Sequence, residues 1–235
     1  MLKTITDEQK SIYDHIGAMN NNNGGMFFVY GFGGTGKTFL WSILGAALRS
    51  EGMIVLNVAS SGIASLLLQG GRTAHSQFGI PIAVDSTTMC SINSNSPQAA
   101  LIREAKLIIW DEAPMMRKYC IETLDRSMRD ILKNDDVFGG KVIVFGGDFR
   151  QILPVIVGGN STQTLLATIN SSTLWDNCTV LELTKNMRFQ NGAGGDRVNE
   201  LEAFSKWILD VGDGKIISTD NDEAKIEIPD DLLIK

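Results

Sequence analysis

A glycine-rich segment at residues 31–38, GFGGTGKT, constrains the fold of this chain more than any other feature. It follows the apolar run MFFVY at 26–30 and precedes the apolar helical pattern TFLWSILGAALR at 38–49. Glycines let a backbone wrap closely around phosphate, where a Cβ atom would clash. Backbone N–H groups and a helix N-terminus then face the anionic oxygens. A strand, this loop and a helix in that order predict a P-loop, the Walker A motif, rather than a chance glycine turn beside a lysine.

The P-loop pattern assigns a role to each of its polar residues. Lys37 should reach the β- and γ-phosphates of ATP, and the hydroxyl of Thr38 should be a ligand of Mg²⁺. The residues expected to contact the nucleotide are Gly33, Gly34, Thr35, Gly36, Lys37 and Thr38.

Short, continuous apolar runs recur along the chain and alternate with helical patterns. Runs of this length without polar alternation are typical of strands buried on both faces of a parallel sheet. Strand and helix in alternation predict an α/β domain, with a mostly parallel sheet, helices on both faces and right-handed crossovers. The predicted strands are 26–30, 53–58, 107–110, 141–145 and 179–183, and the predicted helices between them are 38–49, 63–69 and 121–133.

Two acidic residues, Asp111 and Glu112, follow the apolar run LIIW. An acidic residue at the end of a buried strand fits a Walker B motif, in which Asp111 holds Mg²⁺ and Glu112 polarises the attacking water. The alternative is a solvated acidic turn, which is common after strands in α/β proteins.

Two further candidates follow later strands. Gln151, in GGDFRQ, should emerge at the same edge of the sheet as the P-loop, where such folds bind ligands, and its amide can contact the γ-phosphate. Arg188, in LTKNMR, can add positive charge at that phosphate. The alternatives are a plain exit from a strand for Gln151 and an exposed surface position for Arg188.

Two polar segments allow more than one interpretation. Gln9 either completes a capping box with Thr6 or reads adenine with its amide. The loop GGRTAHSQF, which contains His75, either contacts nucleic acid or is a surface turn that packs Phe78 inward.

Composition restricts the class of protein. The longest apolar runs are far too short to cross a bilayer, and no apolar segment of a secretory signal stands at the N-terminus. The three cysteines are odd in number and widely spaced, which favours free thiols in a reducing compartment. The net charge of −6 lies entirely in residues 191–235, so residues 1–190 are neutral and can present a local basic face.

Several long blocks, taken together and in order from Thr6 to Arg188, resemble one family. They are similar to the DNA helicases of the petite-integration-frequency (PIF) family of superfamily one, especially the plant and Helitron-transposon forms. The matching blocks are TDEQKSIYDHI, FFVYGFGGTGKTFL, VLNVASSGIASLLLQGGRTAHSQFGIPI, LIIWDEAPM, GGDFRQILPV and LTKNMR.

The resemblance implies a RecA-like P-loop NTPase fold and an ATP- and Mg²⁺-dependent enzyme that unwinds DNA in the 5′→3′ direction, including G-quadruplexes, in genome maintenance. It implies that Gln9 reads adenine, that Asp111 and Glu112 form motif II, and that Gln151 and Arg188 contact the γ-phosphate. Single-stranded DNA would meet the segment 59–78. The DNA-binding candidates there are Ser61, Thr73, His75 and Phe78.

Family members continue into a second RecA-like domain, which is therefore an expected partner of this chain. We expect residues 1–190 to form the first motor domain and residues 191–235 to be an acidic segment leading toward the second, with a helix at 198–209 and an irregular stretch at 212–235. Alone, this chain should bind nucleotide but hydrolyse and unwind poorly. The family implies the nucleus or the mitochondrion as the compartment. A regulatory nucleotide-binding module, a small-molecule kinase and a purely DNA-binding fragment are the rival interpretations.

Overall fold

The structure, a computed structural model, describes residues 5–19, 24–188, 196–220, 223–226, 228–229 and 233. The chain forms two compact units, Met1–Lys185 and Asn186–Lys235. The boundary predicted between residues 190 and 191 lies outside the described residues and stays a prediction.

A six-stranded sheet forms the centre of the first unit. Its order is β3-β2-β4-β5-β1-β6, and every neighbouring pair is parallel. All five strands predicted from apolar runs are present, and the two-residue strand β3 was not foreseen. The strands are β1 (Gly25–Gly31), β2 (Ile54–Ala59), β3 (Arg72–Thr73), β4 (Ala105–Asp111), β5 (Val142–Gly147) and β6 (Cys178–Leu183).

Helices cover both faces of this sheet, as predicted. One buried cluster joins α1 and α2 to one face, and a second joins α4, α5 and α6 to the other. No helix among the described residues has the length and apolarity needed to span a membrane. The helices of the first unit are α1 (Asp7–Met19), α2 (Lys37–Ser50), α3 (Gly62–Leu66), α4 (Ala74–Phe78), α5 (Pro97–Glu104), α6 (Lys118–Leu132) and α7 (Ser161–Leu166).

Helix α3 ends earlier than its apolar pattern predicts. The pattern extends to residue 69, but the helix stops at Leu66 and Leu68 turns into the core. Gly71 explains the turn, because a Cβ atom there would lie 2.3 Å from the backbone oxygen of Ser65. The chain can therefore fold back sharply over the helix and enter β3.

The second unit contains more regular structure than the sequence predicts. Helix α8 (Asp196–Gly212) covers the predicted helix at 198–209. The acidic region after it was expected to be irregular, and this is wrong for strands β7 (Ile217–Asp220) and β8 (Glu223–Ile226), which pair antiparallel. Their pairing runs from Asp220 with Glu223 to Ile217 with Ile226.

Helix α6, which follows the acidic pair in the chain, is fixed to the turn before β5 by a buried carboxylate. Asp125 Oδ1 accepts a hydrogen bond from the backbone N–H of Phe138 at 2.6 Å, and Arg129 Nε donates to both carboxylate oxygens at 2.9 and 3.0 Å. Phe138 has a left-handed backbone with φ of 51°. Asp125 thus satisfies a donor at a place where the chain is strained.

Replacing Asp125 with alanine should destabilise the fold by about 1–3 kcal/mol, because it leaves the buried Phe138 N–H without an acceptor. The measurement is the urea midpoint of the variant against the wild type. Asp130→Ala is the matched control on the same helix. Its exposed ion pair with Lys133 contributes at most about 1 kcal/mol. Equal midpoints for the two variants would contradict the prediction.

Candidate nucleotide-binding site

The loop between β1 and α2 has the backbone conformation that close approach to an anion requires. Gly34 and Gly36 have φ of 99° and 85°, in the left-handed region that favours glycine. Gly36 is the N-cap of α2 and makes no side-chain cap. The first N–H groups of a helix lack partners within the helix, so those of α2 are available to bind phosphate.

The lysine of this loop is buried. Lys37 Nζ donates hydrogen bonds to the backbone oxygen of Gly31 and, at 3.5 Å, to that of Phe32. Burial lowers the pKa of the Lys37 ammonium. The negative charges of Asp111, Glu112 and a third acid nearby, Asp148, raise that pKa. The structure therefore gathers two cations, Lys37 and Arg150, and three acids around the loop.

The two threonines of the loop differ in exposure. Thr35 is buried, and its Oγ1 donates to the Phe32 oxygen at 3.0 Å, which shapes the loop from inside. Thr38 is exposed in the first turn of α2, where its hydroxyl is accessible to a metal ion.

Asp111 is the last residue of β4 and is only 4% exposed. Its Oδ1 and the indole Nε1 of Trp41 are both buried, and neither has a partner with hydrogen-bond geometry among the described residues. Burial raises the pKa of the Asp111 carboxyl, while the nearby Trp41 indole N–H and the Lys37 charge lower it. Buried polar atoms normally have partners, so an unpaired carboxylate oxygen beside a P-loop fits a site for a cation.

Glu112 has an unusual backbone. Its φ of 54° lies in the left-handed region, which is strained for a residue with a side chain and is often found at functional sites. Burial raises the pKa of the Glu112 carboxyl, the charges of Asp111 and Asp148 raise it further, and the charge of Lys37 lowers it.

The end of β5 supplies groups that the sequence analysis quoted but did not assign. Asp148 is 4% exposed and forms an ion pair with Arg150, whose Nε lies 3.0 Å from Oδ1. The Arg150 guanidinium lies 5.2 Å from the ring centroid of Tyr30 and 5.8 Å from that of Phe32. The sequence signal for these groups was a carboxylate and an arginine two residues apart, directly after a buried strand.

Trp41 and Gly146 were also missed. A Cβ atom on Gly146 would lie 2.4 Å from Cζ2 of Trp41 and 3.2 Å from Oδ1 of Asp111. Gly146 therefore makes room for the indole beside the carboxylate. The sequence signal was the spacing of Trp41, which is one helical turn after Lys37 and thus on the same face of α2.

Gln151 and Arg188, the two candidates expected at the γ-phosphate, belong to different units of the chain. Gln151 is exposed in the turn after β5, at the same edge of the sheet as the P-loop, and its N–H donates to the Asp148 oxygen at 3.1 Å. Arg188 belongs to the second unit, where it is exposed and its N–H donates to Asn186 Oδ1 at 3.0 Å.

Gln9 makes the capping box and also contacts the P-loop. Its N–H donates to Thr6 Oγ1 and its Oε1 accepts from the Thr6 N–H, both at 3.2 Å. Its Nε2 donates to the Thr35 oxygen at 3.3 Å. The residue is 1% exposed, so a contact with adenine requires a local rearrangement that uncovers the amide.

The preceding residue links α1 to the chain beyond β6. The carboxylate of Glu8 accepts from Thr184 Oγ1 at 2.6 Å, from the Thr184 N–H at 3.1 Å and from the Lys185 N–H at 3.3 Å. The first turn of α1 therefore holds both the P-loop and the exit of β6.

The four candidates for DNA contact lie in the segment 59–78, after β2. Ser61 caps α3 and accepts from the Ala64 N–H, and Thr73 caps α4 and accepts from the Ser76 N–H. His75 is half-buried, and burial lowers its pKa. Phe78 is fully buried, so the expectation that its ring contacts DNA is corrected: it packs on Trp110 at 6.3 Å between centroids.

This arrangement fits a magnesium nucleotide. The parallel strands β1, β4 and β5 bring their carboxyl ends to one edge, as in other open α/β sheets that bind ligands there. Phosphates suit the glycine backbone and Lys37, while a hard cation suits the oxygens of Thr38 and Asp111.

A parallel sheet with a P-loop after β1 and an acidic pair after β4 defines a P-loop NTPase domain with a RecA-like fold. A family model described as PIF1-like helicase matches residues 4–222, and the chain belongs to that family.

Curated relatives and solved structures agree with this membership. The ATP-dependent DNA helicase Pif1 of Psychrobacter is 29% identical over 171 residues, which are 72% of this chain and 26% of that protein. The ATP-dependent DNA helicase RRM3 of Saccharomyces cerevisiae is 31% identical over 217 residues, which are 88% of this chain and 28% of that protein. This chain therefore spans about a quarter of the length of these relatives.

Two crystal structures share the fold. The Bacteroides Pif1 helicase in complex with ADP-AlF3 and ssDNA has a TM-score of 0.68 and 25% identity, over 96% of this chain and 52% of that one. The Candida albicans Pif1 helicase has a TM-score of 0.71 and 21% identity, over 97% of this chain and 45% of that one.

Replacing Gly146 with alanine should weaken binding of Mg²⁺–nucleotide by about tenfold or more, the typical effect of disturbing the surroundings of a metal ligand. The added methyl group displaces Trp41 and crowds Asp111. Isothermal titration of Mg²⁺–ATPγS measures the effect. Gly17→Ala is the matched control, because a Cβ atom there meets nothing within 4 Å. An affinity of Gly146→Ala equal to that of the control would contradict the prediction.

Proposed function

We propose that this chain is the first RecA-like motor domain of an ATP-dependent 5′→3′ DNA helicase. In the complete enzyme it binds and hydrolyses ATP–Mg²⁺ to translocate on single-stranded DNA and to unwind duplex or G-quadruplex DNA in genome maintenance. The observation that carries the proposal is the buried Asp111 carboxylate, whose Oδ1 lacks a partner among the described residues beside Lys37 of the P-loop. Family membership supports the choice of a helicase over other P-loop NTPases.

The P-loop binds the phosphates of ATP. The glycine backbone and the α2 N-terminus surround the β-phosphate, and Lys37 turns from the Gly31 and Phe32 carbonyls toward the β- and γ-phosphates. Thr38 and Asp111 hold Mg²⁺, which supplies positive charge that neutralises the phosphate oxygens. Gln9 contacts adenine.

Glu112 orients and polarises the water that attacks the γ-phosphate. Its raised pKa increases its basicity, and its left-handed backbone turns the chain immediately after the metal ligand. Gln151 senses the γ-phosphate, and Lys37 with Arg188 stabilises the charge that develops there.

Single-stranded DNA meets the segment after β2, with Ser61, Thr73 and His75 as contacts. Ser61 follows the carboxyl end of β2 and Thr73 ends β3, so both lie at the same edge of the sheet as the P-loop. A second RecA-like domain completes the nucleotide cage in the longer relatives, so this chain alone binds nucleotide but hydrolyses and unwinds poorly. An arginine supplied by a partner surface is worth roughly 10³–10⁵ in turnover. The compartment is the nucleus or the mitochondrion, where its DNA substrate lies.

Lys37→Ala should weaken Mg²⁺–ATPγS binding by roughly 30-fold or more, because losing a buried charge partner costs about 2–5 kcal/mol. Calorimetric titration with and without oligo-dT measures this and tests the proposed function. Lys106→Ala is the control, since that lysine is exposed on β4 and lies toward its amino end. A folded wild-type chain that binds no nucleotide would contradict the proposed function. Robust DNA-stimulated ATP hydrolysis by this chain alone would contradict the claim that hydrolysis needs a second domain.

Glu112→Gln should lower the rate of hydrolysis by about 100-fold or more, which is the usual contribution of a general base. The amide preserves shape but cannot accept a proton. The measurement is single-turnover hydrolysis of ATP, with the dissociation constant of Mg²⁺–ATPγS as a control for binding. Glu122→Gln, on α6, is the matched substitution outside the site. Hydrolysis that is equally fast in both variants would exclude Glu112 as the base.

A further inference from the structure

Two residues that the proposed function leaves without a role, Ser60 and Trp110, join the ends of β2 and β4. The Trp110 indole Nε1 donates a hydrogen bond to Ser60 Oγ at 3.0 Å. The Ser60 backbone N–H donates to the backbone oxygen of Asp111 at 3.1 Å. Ser60 therefore accepts a hydrogen bond from Trp110 and donates one to Asp111, the next residue of β4.

The second of these bonds acts on the peptide group that connects Asp111 to Glu112. A hydrogen bond to the Asp111 oxygen fixes the plane of that peptide, and the plane sets ψ of Asp111 and φ of Glu112. Glu112 has a φ of 54°, a strained conformation that persists only where surrounding contacts impose it. The Ser60 N–H is one such contact, so the position of Ser60 governs the direction of the Glu112 side chain.

Trp110 also links this peptide to the segment 59–78. Its ring is fully buried and lies 6.3 Å from Phe78, at the end of α4, and 5.7 Å from Phe145 of β5. Ser60 stands inside the same segment, directly before Ser61, the cap of α3. The indole therefore touches the segment at both ends, through a hydrogen bond at residue 60 and through ring packing at residue 78.

We propose that Ser60 and Trp110 form a positioning pair that couples nucleic acid bound at the segment 59–78 to the acidic pair Asp111–Glu112. Movement of the segment shifts Ser60, rotates the peptide between the two acids and reorients Glu112. The reverse path lets bound nucleotide alter the affinity for DNA, because coupling between two sites is reciprocal. This inference rests on the proposed function, which supplies the two ligands.

The test is the ratio of Mg²⁺–ATPγS dissociation constants measured with and without oligo-dT on the 235-residue chain. In the wild type, oligo-dT should change the affinity by roughly fivefold or more, the lower end of typical coupling. Ser60→Ala and Trp110→Phe each remove the side-chain hydrogen bond that helps to hold the Ser60 N–H against the Asp111 oxygen, and should bring the ratio measurably closer to one. Both constants come from the same variant, and irreversibly inactive protein lowers the number of binding sites without changing either dissociation constant.

Two further variants separate positioning from a merely structural role. Ser60→Thr retains the hydroxyl and should preserve the wild-type ratio. The double variant of Ser60→Ala and Trp110→Phe should behave as either single variant, because all three lack the same bond. Melting temperatures of the whole set identify any variant whose fold is impaired.

Each remaining outcome overturns a defined claim. A wild-type ratio in Ser60→Ala and Trp110→Phe, or a ratio near one in Ser60→Thr, overturns the positioning pair. A wild-type chain that binds nucleotide but ignores oligo-dT overturns the coupling and leaves the nucleotide site intact. A folded wild type without nucleotide affinity overturns the proposed function, and the coupling proposal falls with it.

Discussion

Burial of opposite charges at one edge of the sheet is the constraint on which the rest of the site depends. Burial alone shifts the pKa of Lys37 downward and those of Asp111 and Glu112 upward, and in each case an opposite charge nearby counteracts the shift. Removing the Lys37 charge would leave the desolvated carboxylates of Asp111 and Glu112 without this compensation, which is strongly unfavourable for buried charges. The parallel pairing of β4 with β5 and of β5 with β1 brings the charges together, so the topology and the electrostatics require each other.

Helix α1 lies outside the motifs that define the P-loop class, yet its first turn fixes two of the surrounding segments. Gln9 holds the P-loop through the Thr35 oxygen, and Glu8 holds the exit of β6 through Thr184 and Lys185. These neighbouring side chains point to different strands because successive residues of a helix face different directions. A shift of α1 would therefore disturb the phosphate loop and the exit of β6 at once, which makes this turn a structural part of the site.

The strands and the phosphate loop could be predicted because the information is local. A continuous apolar run identifies a strand buried on both faces, and glycine with Lys-Thr identifies the loop. Predictions from the local sequence failed where contacts between distant parts of the chain determine the structure. The apolar pattern of α3 continues to residue 69, but Leu68 is drawn into the core and Gly71 folds back on Ser65. The hairpin of β7 and β8 consists of strands only four residues long in an acidic region, so no run of apolar residues marked it.

The parts of the site that the sequence did not reveal are residues that are far apart in the chain and come into contact only in the folded protein. Trp41, Gly146 and Asp111 come from three different elements and become neighbours only when α2, β4 and β5 are assembled. Phe78 illustrates the opposite error: the family resemblance made it a candidate for DNA contact, whereas the alternative interpretation, a turn that packs Phe78 inward, agrees with its buried ring against Trp110. An aromatic residue in a motif can thus serve the site by fixing a neighbouring strand instead of touching the ligand. Since Trp110 immediately precedes Asp111, one side chain both packs against the loop and adjoins the acidic pair.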